Sequence, residues 1–215
     1  MAGEPISTSH GAMRALQKAG YIYSPGGREF YPTRRLFDMA GEIDQYNPVT
    51  AMAKPGLTRL RDSLGETVLL GTRQGDETMF LLALAGSHSI HYAARIGDRR
   101  PLHASSIGKA LLGLLSPEAL SAWLTKRVLP RVTSRTVHSA TALRRDLTAS
   151  RRRGYYVTRG ESVLDVMAIA MPVFIGGAAY GVSVAGPLNR VRKSEKRIAE
   201  ELAACVRGLQ FGSKA

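Results

Sequence analysis

The chain has 215 residues, of which 44% are hydrophobic and 22% charged, and its formal net charge is +13. These values are typical of a globular protein of one or two domains. No apolar run approaches the roughly 18 residues of a membrane span, and the N-terminus lacks a secretory signal, so neither a membrane partner nor secretion is expected. The single Cys205 excludes an internal disulfide framework and fits a reducing cytoplasm. We expect no metal site and no cofactor.

The positive charge is unevenly distributed. Residues 1–45 contain five basic and five acidic side chains, so the whole excess of +13 lies in residues 46–215. A basic surface attracts nucleic acid without sequence preference, but it also occurs as a plain solvated surface. The charge alone does not decide between these two interpretations.

The N-terminal residues have the pattern of a helix, a hairpin and a second helix. A helix over 7–19 is predicted by capping hydroxyls at its start and a glycine after its end. Two short strands over 21–23 and 29–31 follow, joined by a glycine-rich turn, and the second helix is predicted over 33–43. This order is that of the second half of a winged helix-turn-helix, although other small α+β surface elements share it.

The remaining residues alternate between helical and strand periodicity. Hairpin-connected strands with flanking helices predict an α+β domain around a six-stranded, mainly antiparallel sheet. The predicted helices cover 49–64, 107–115, 117–124, 140–152 and 191–209, and the predicted strands cover 67–73, 78–85, 89–96, 155–159, 168–175 and 179–185.

Three segments in this part of the chain carry a family resemblance. They read RPLHASSIGKALL over 100–112, RGYYV over 153–157 with MAIAMPV over 167–173, and GVSVAGP over 181–187. In this order and spacing they resemble the effector-binding domain of the IclR family of bacterial transcriptional regulators. The resemblance covers 49–210 and implies a GAF-like fold that binds a small molecule.

The N-terminal run PISTSHGAMRALQKAGY over 5–21 is similar to the turn and recognition helix of the DNA-binding head in this family. The implied DNA-binding residues are Ser7, Thr8, Ser9, His10 and Arg14 on the helix and Arg28 on the wing. Such heads place two more helices before the recognition helix, for which this sequence has no room. We therefore expect a partial winged helix-turn-helix over 1–32, a linker helix over 33–46 and the effector-binding domain over 47–215.

The resemblance also implies an effector pocket at the start of the helix near residue 106. Its implied lining residues are Tyr92, Ser105, Ser106, Ile107, Gly108, Thr158, Ala168 and Ser183. Hydroxyls and the positive end of the helix dipole suit a carboxylate. We expect a small organic acid with an apolar or aromatic body, assisted by Arg95 or Arg159. Each serine taken singly fits equally well as an N-cap or a strand hydroxyl.

Several short patterns suggest other functions on weaker grounds. Ser106 and Lys109 match the Ser-x-x-Lys pattern of penicillin-recognising enzymes, but the accompanying Ser-Asp-Asn and Lys-Thr-Gly elements are missing. The residues around Lys109 lack the rest of a phosphate-binding loop, and the run from Gly181 lacks the second glycine of a nucleophile elbow. Since none of these enzyme patterns is complete, we expect a protein that is not an enzyme.

The arginines over 151–153 end a predicted helix, where positive charge complements the dipole.

Together these features predict a ligand-responsive transcriptional regulator in which effector binding changes the affinity for operator DNA. A homodimer or homotetramer is expected, since two heads must address two half-sites. The alternative is a small-molecule sensor module with a vestigial head that no longer binds operator DNA.

Overall fold

The computed structural model describes residues 6–27, 29–125 and 127–212. Contacts between residues divide the chain into two units, Met1–Ala51 and Met52–Ala215. Among the described helices, none is both long enough and apolar enough to cross a membrane.

The first unit contains the predicted helix, hairpin and second helix. Its elements are α1 (Ile6–Lys18), β1 (Ile22–Tyr23), β2 (Tyr31–Pro32) and α2 (Arg34–Tyr46). The two strands pair antiparallel, with Ile22 opposite Pro32. Both strands are shorter than predicted, and one further backbone bond follows them, in which Thr33 N–H donates to Tyr21 O at 2.9 Å.

Polar contacts join the end of α1 to the start of α2. Gly20 follows α1 with a φ of 75°, a left-handed value that glycine adopts without strain. The Thr33 hydroxyl donates to Gly20 O at 2.6 Å, and Arg35 Nη1 donates to Ala19 O at 2.7 Å. The Arg35 guanidinium also lies 4.9 Å from the centre of the Tyr21 ring. These contacts satisfy carbonyls at the helix end that would otherwise lack partners.

The described part of the first unit has little apolar core. Ile22 is its one buried apolar residue, whereas Ala12, Ala15 and Leu16 on α1 are exposed. Apolar burial among these residues therefore contributes little to stability.

The second unit is built on a single sheet with helices packed against it. In chain order the elements are α3 (Pro48–Leu64, which begins in the first unit), β3 (Thr67–Gln74), β4 (Glu77–Leu84), β5 (Arg99–Pro101), a 3₁₀ turn (Leu102–Ala104), α4 (Ser106–Leu112), α5 (Pro117–Thr125), α6 (Ala140–Arg153), β6 (Tyr156–Arg159), β7 (Val166–Ile175), β8 (Ala178–Pro187), α7 (Leu188–Lys193) and α8 (Glu195–Gly212). All neighbouring strands are antiparallel, in the order β5-β4-β3-β8-β7-β6. This confirms the predicted α+β fold with a six-stranded antiparallel sheet.

Helix α4 packs unusually close to the sheet and is buried along its whole length. Glycine allows this approach: a Cβ on Gly181 in β8 would lie 2.7 Å from Cγ2 of Ile107. On the other side of α4, a Cβ on Gly108 would overlap the backbone of Leu102 in the 3₁₀ turn. The close packing brings the start of α4 against the middle of the sheet, where the site lies.

The predicted strand over 89–96 is wrong, because the residues between β4 and β5 form neither helix nor strand. Their alternating apolar pattern is strand-like, but β5 occupies the place beside β4. Side chains satisfy two of the carbonyls instead: Thr67 Oγ1 donates to Tyr92 O at 2.6 Å, and Arg190 Nη2 donates to Ile90 O at 2.8 Å. The segment is therefore a long loop that carries Tyr92 to the site.

The predicted helix over 191–209 is divided into α7 and α8 at Ser194. The backbone of Ser194, with φ −107° and ψ 13°, is not helical, and its carbonyl accepts the N–H of Ile198 to begin α8. α8 carries an apolar stripe, in which Ile198, Leu202 and Leu209 are buried.

Candidate functional site

The start of α4 is fixed by the hydroxyls of two consecutive buried serines. Ser105 is the N-cap: its Oγ accepts the backbone N–H of Gly108 at 2.9 Å and lies 2.9 Å from Thr78 Oγ1. Ser106 Oγ lies 2.9 Å from Ser183 Oγ on β8. Both serine hydroxyls are thus hydrogen-bonded to protein groups, and the second one ties α4 to the sheet.

A cavity adjoins the start of α4, the sheet and the loop before β5. Apolar groups come from β3, β4 and β7, and hydroxyls come from α4, β6 and β8. The lining residues are Leu69, Phe80, Tyr92, Arg100, Ser105, Ser106, Ile107, Thr158, Ser162, Val163, Val166, Ala168, Ser183 and Ala185. The cavity has a free volume of about 40 Å³, well below the ~150 Å³ of a protein cavity that binds benzene.

Seven of the eight residues predicted to line an effector pocket lie at this cavity. They are Tyr92, Ser105, Ser106, Ile107, Thr158, Ala168 and Ser183. The eighth, Gly108, is absent from the described lining. Since a Cβ on it would overlap the backbone of Leu102, its small size serves the packing of α4.

The cation at the cavity is Arg100, and neither Arg95 nor Arg159 lines it. Arg159 donates instead to both carboxylate oxygens of Glu195, at 2.8 and 2.9 Å, and Arg95 is exposed in the loop before β5. Arg100 lies on β5, and its Nη2 reaches Tyr92 Oη at 3.4 Å. The sequence patterns predict no role for Arg100, because a strand over 89–96 would place it in a connecting segment.

A buried ion cluster lies on α4 beyond the cavity lining. Lys109 is fully buried, and its Nζ lies 2.7 Å from both carboxylate oxygens of Glu161 and 2.7 Å from Asp146 Oδ2. A buried charge is very costly without such partners. The sequence signal for this cluster is a lysine among the apolar residues of a helix, and neither of the two enzyme patterns at Lys109 predicts an ion cluster.

Glu161 is the second residue of the loop between β6 and β7. Burial raises the pKa of its carboxyl, and the Lys109 ammonium opposes that rise. The Glu161 carbonyl accepts the Thr136 hydroxyl at 2.7 Å. The base of the loop is therefore held firmly, and the next two residues, Ser162 and Val163, line the cavity.

The geometry does not support catalysis. Ser106 Oγ is paired with Ser183, and Lys109 Nζ is held by carboxylates, so the two do not form the nucleophile and base of a Ser-x-x-Lys enzyme. His103 Nε2 lies 3.0 Å from Pro130 O, and burial lowers the pKa of its imidazole. That contact gives His103 a structural role.

The residues predicted to contact DNA are described only in part. Ser9, His10 and Arg14 are exposed on α1, and His10 and Arg14 are neighbours on its surface at a spacing of four residues. Ser7 and Thr8 belong to the first turn of α1, but their side chains, like the whole of Arg28, lie outside the described residues.

Known proteins similar to this chain are transcriptional regulators. The family model described as bacterial transcriptional regulator IclR C-terminal matches residues 43–210. The HTH-type transcriptional repressor AllR of Escherichia coli (strain K12) is 30% identical over 190 residues, which are 87% of this chain and 70% of AllR. The HTH-type transcriptional regulator BhcR of Paracoccus denitrificans is 38% identical over 163 residues, which are 74% of this chain and 58% of BhcR.

A solved structure adds a bound ligand to this comparison. It is an IclR homolog from Microbacterium hydrocarbonoxydans complexed with 4-hydroxybenzoate. It is 27% identical to this chain, with a TM-score of 0.78, and the match covers 96% of this chain and 85% of the homolog.

Proposed function

Since the chain belongs to the IclR family of bacterial transcriptional regulators, we propose that it is a DNA-binding regulator whose operator affinity responds to a small organic acid. The observation that carries this proposal is the cavity at the start of α4. Tyr92, Ser106 and Ser183 reach it from a loop, a helix and a strand. Its lining combines apolar walls with a few hydrogen-bonding groups, as small-molecule sites usually do.

An acid with an aromatic or other apolar body suits this lining. Leu69, Phe80 and Ile107 offer apolar contact area, and Arg100 offers a positive charge. The 4-hydroxybenzoate bound by the Microbacterium homolog supports the same class of effector.

The cavity must enlarge to admit such a molecule, because about 40 Å³ is free. Tyr92, Ser162 and Val163 lie on loops, so they can move with less loss of backbone hydrogen bonding than the strands can. The effector then favours a conformation in which these loops are displaced. A ligand changes DNA affinity only through such a difference in its own affinity for two conformations.

We assign DNA binding to residues 1–32, the linker to 33–46 and effector binding to 47–215. In this arrangement His10 and Arg14 contact DNA from the exposed face of α1. A homodimer or homotetramer presents two heads to two half-sites.

A DNA-binding titration tests the proposal. The whole chain is titrated against its own upstream region at two salt concentrations, with random DNA as competitor. Arg14→Ala on α1 is compared with Arg145→Ala, which removes an exposed positive charge from α6. We expect a complex that resists the competitor and is weakened much more by Arg14→Ala than by Arg145→Ala.

Binding that occurs only at low salt, is lost to random DNA and is weakened equally by both substitutions would contradict operator recognition. Such binding would come from the general basic charge of the chain. The protein would then be a small-molecule sensor without operator binding.

A further inference from the structure

Arg100 gives the cavity a fixed charge. It is the one lysine or arginine among the described lining residues, and that lining includes no aspartate or glutamate. A cavity with a single guanidinium and otherwise neutral walls favours an anionic ligand.

The guanidinium of Arg100 is held loosely enough to accept a ligand. Nη1 donates to Arg99 O at 2.7 Å, whereas Nη2 lies at longer distances, 3.4 Å from Tyr92 Oη and 3.7 Å from Asp98 Oδ2. These contacts engage only part of its five N–H donors. Asp98 is about one third exposed, so water weakens its attraction for Arg100. A carboxylate can therefore form the bidentate contact that arginine favours.

The serines at the start of α4 are poorer partners for a carboxylate. Ser105 Oγ already serves Gly108 N and Thr78, and Ser106 is paired with Ser183. Binding a carboxylate there would break buried hydrogen bonds, whereas at Arg100 it would replace the contacts of Nη2, which are long at 3.4 and 3.7 Å.

A second polar group among the lining residues has no partner. Ser162 Oγ is buried and has no hydrogen-bond partner among the described residues. Ser162 follows β6, at the opposite edge of the sheet from the β5 strand that carries Arg100. A buried hydroxyl without a partner is unfavourable, and a polar atom on a ligand would satisfy it.

We infer that the effector is a small acid with a second hydrogen-bonding group, its carboxylate on Arg100 and its second group on Ser162 Oγ. The inference rests on the proposed function, since it assumes that this cavity binds the effector. The specificity then lies in two residues at opposite edges of the sheet, with Leu69, Phe80 and Ile107 contacting the apolar body between them.

Calorimetric titration of the full chain with matched ligands tests the inference. The probes are 4-hydroxybenzoate, benzoate and 4-hydroxybenzamide, with glycolate and acetate as an aliphatic pair. We expect the wild type to bind 4-hydroxybenzoate more tightly than benzoate, or glycolate more tightly than acetate, by at least about tenfold. We also expect it to bind 4-hydroxybenzoate more tightly than 4-hydroxybenzamide.

Two substitutions separate the two contacts. Arg100→Gln should abolish the preference for acid over amide, and Arg100→Lys should retain part of it. Ser162→Ala should abolish the preference for a hydroxy acid over the acid without the hydroxyl. It should leave the preference for acid over amide unchanged. Arg95→Gln, which removes an exposed arginine of the neighbouring loop, should change neither.

The outcomes distinguish this inference from the proposed function. If acids bind the wild type but the preference for acid over amide is unchanged in Arg100→Gln, the inference is overturned and the sensor proposal remains. If no acid binds the wild type, both are overturned. Should Arg100→Gln fail to fold, the wild type supplies the test: its preference for acid must fall with added salt, because Arg100 is partly exposed.

Discussion

Lys109 Nζ lies 2.7 Å from both carboxylate oxygens of Glu161, and the lysine is fully buried. The pair joins α4, which carries Ser106 to the cavity, to the loop that carries Ser162. Two walls of the site are therefore connected by one buried ion pair. A change in either wall must either preserve this pair or leave a buried charge unpaired.

Removing one member of the pair should be strongly destabilising. Lys109→Met leaves Glu161 and Asp146 without their cation, and we expect the free energy of unfolding to fall by about 3–5 kcal/mol. Lys109→Met combined with Glu161→Leu should recover part of that loss, because apolar groups can replace a buried pair at little cost. Urea unfolding followed by the fluorescence of Trp123, which is buried, measures both. Equal stability of the single and double variants would show that the pair is not coupled.

A glycine-to-alanine substitution should have opposite effects on stability in α4, which is closely packed, and in α8, where the glycine has free space around it. Gly108→Ala places a methyl group against the backbone of Leu102 and should destabilise the protein by about 1–3 kcal/mol. Gly208→Ala in α8 meets nothing within 4 Å and should stabilise it by about 0.5–1 kcal/mol through helix propensity. Urea unfolding gives both values. A Gly108→Ala variant as stable as the wild type would mean that α4 does not approach Leu102 so closely.

Cys205 should react slowly with alkylating reagents. It lies at a groove between α3 and α8, beside Leu60 and Leu209, and burial raises the pKa of its thiol. The thiolate is the reactive form, and a raised pKa lowers its amount at neutral pH. We expect iodoacetamide to modify the folded chain at least about tenfold more slowly than the urea-unfolded chain, with the midpoint of the rate profile at higher pH. Identical rates and midpoints in the two states would refute this.

Local signals were sufficient to predict most of the second unit. The helix predicted over 140–152 is α6, which is capped by Ser139 and ended by Gly154 with a φ of 88°. Both signals act within a few residues of the helix end. The prediction of a strand over 89–96 is wrong because strand pairing is not a local property. Its alternation is real, but pairing beside β4 depends on β5, which no local pattern reveals.

The site was only partly predictable for the same reason. The contact between Ser106 and Ser183 joins residues 77 positions apart, and a family resemblance, rather than periodicity, pointed to both. Arg100 and Ser162 belong to no periodic pattern, and their meeting at one cavity depends on the folded sheet. The role of Lys109 was accessible in principle, since a lysine in an apolar helix requires a buried acid, but the identity of Glu161 as that acid was not.

In the proposed mechanism, a small acid bound in the cavity changes operator affinity. The most direct test is to measure the Kd of the chain for its upstream DNA, with and without the tightest-binding acid at a concentration that saturates the protein in calorimetry. We expect the two Kd values to differ by about 5- to 150-fold, and bound operator to change the affinity for the acid by the same factor. Operator binding with the same Kd in both conditions would contradict this mechanism.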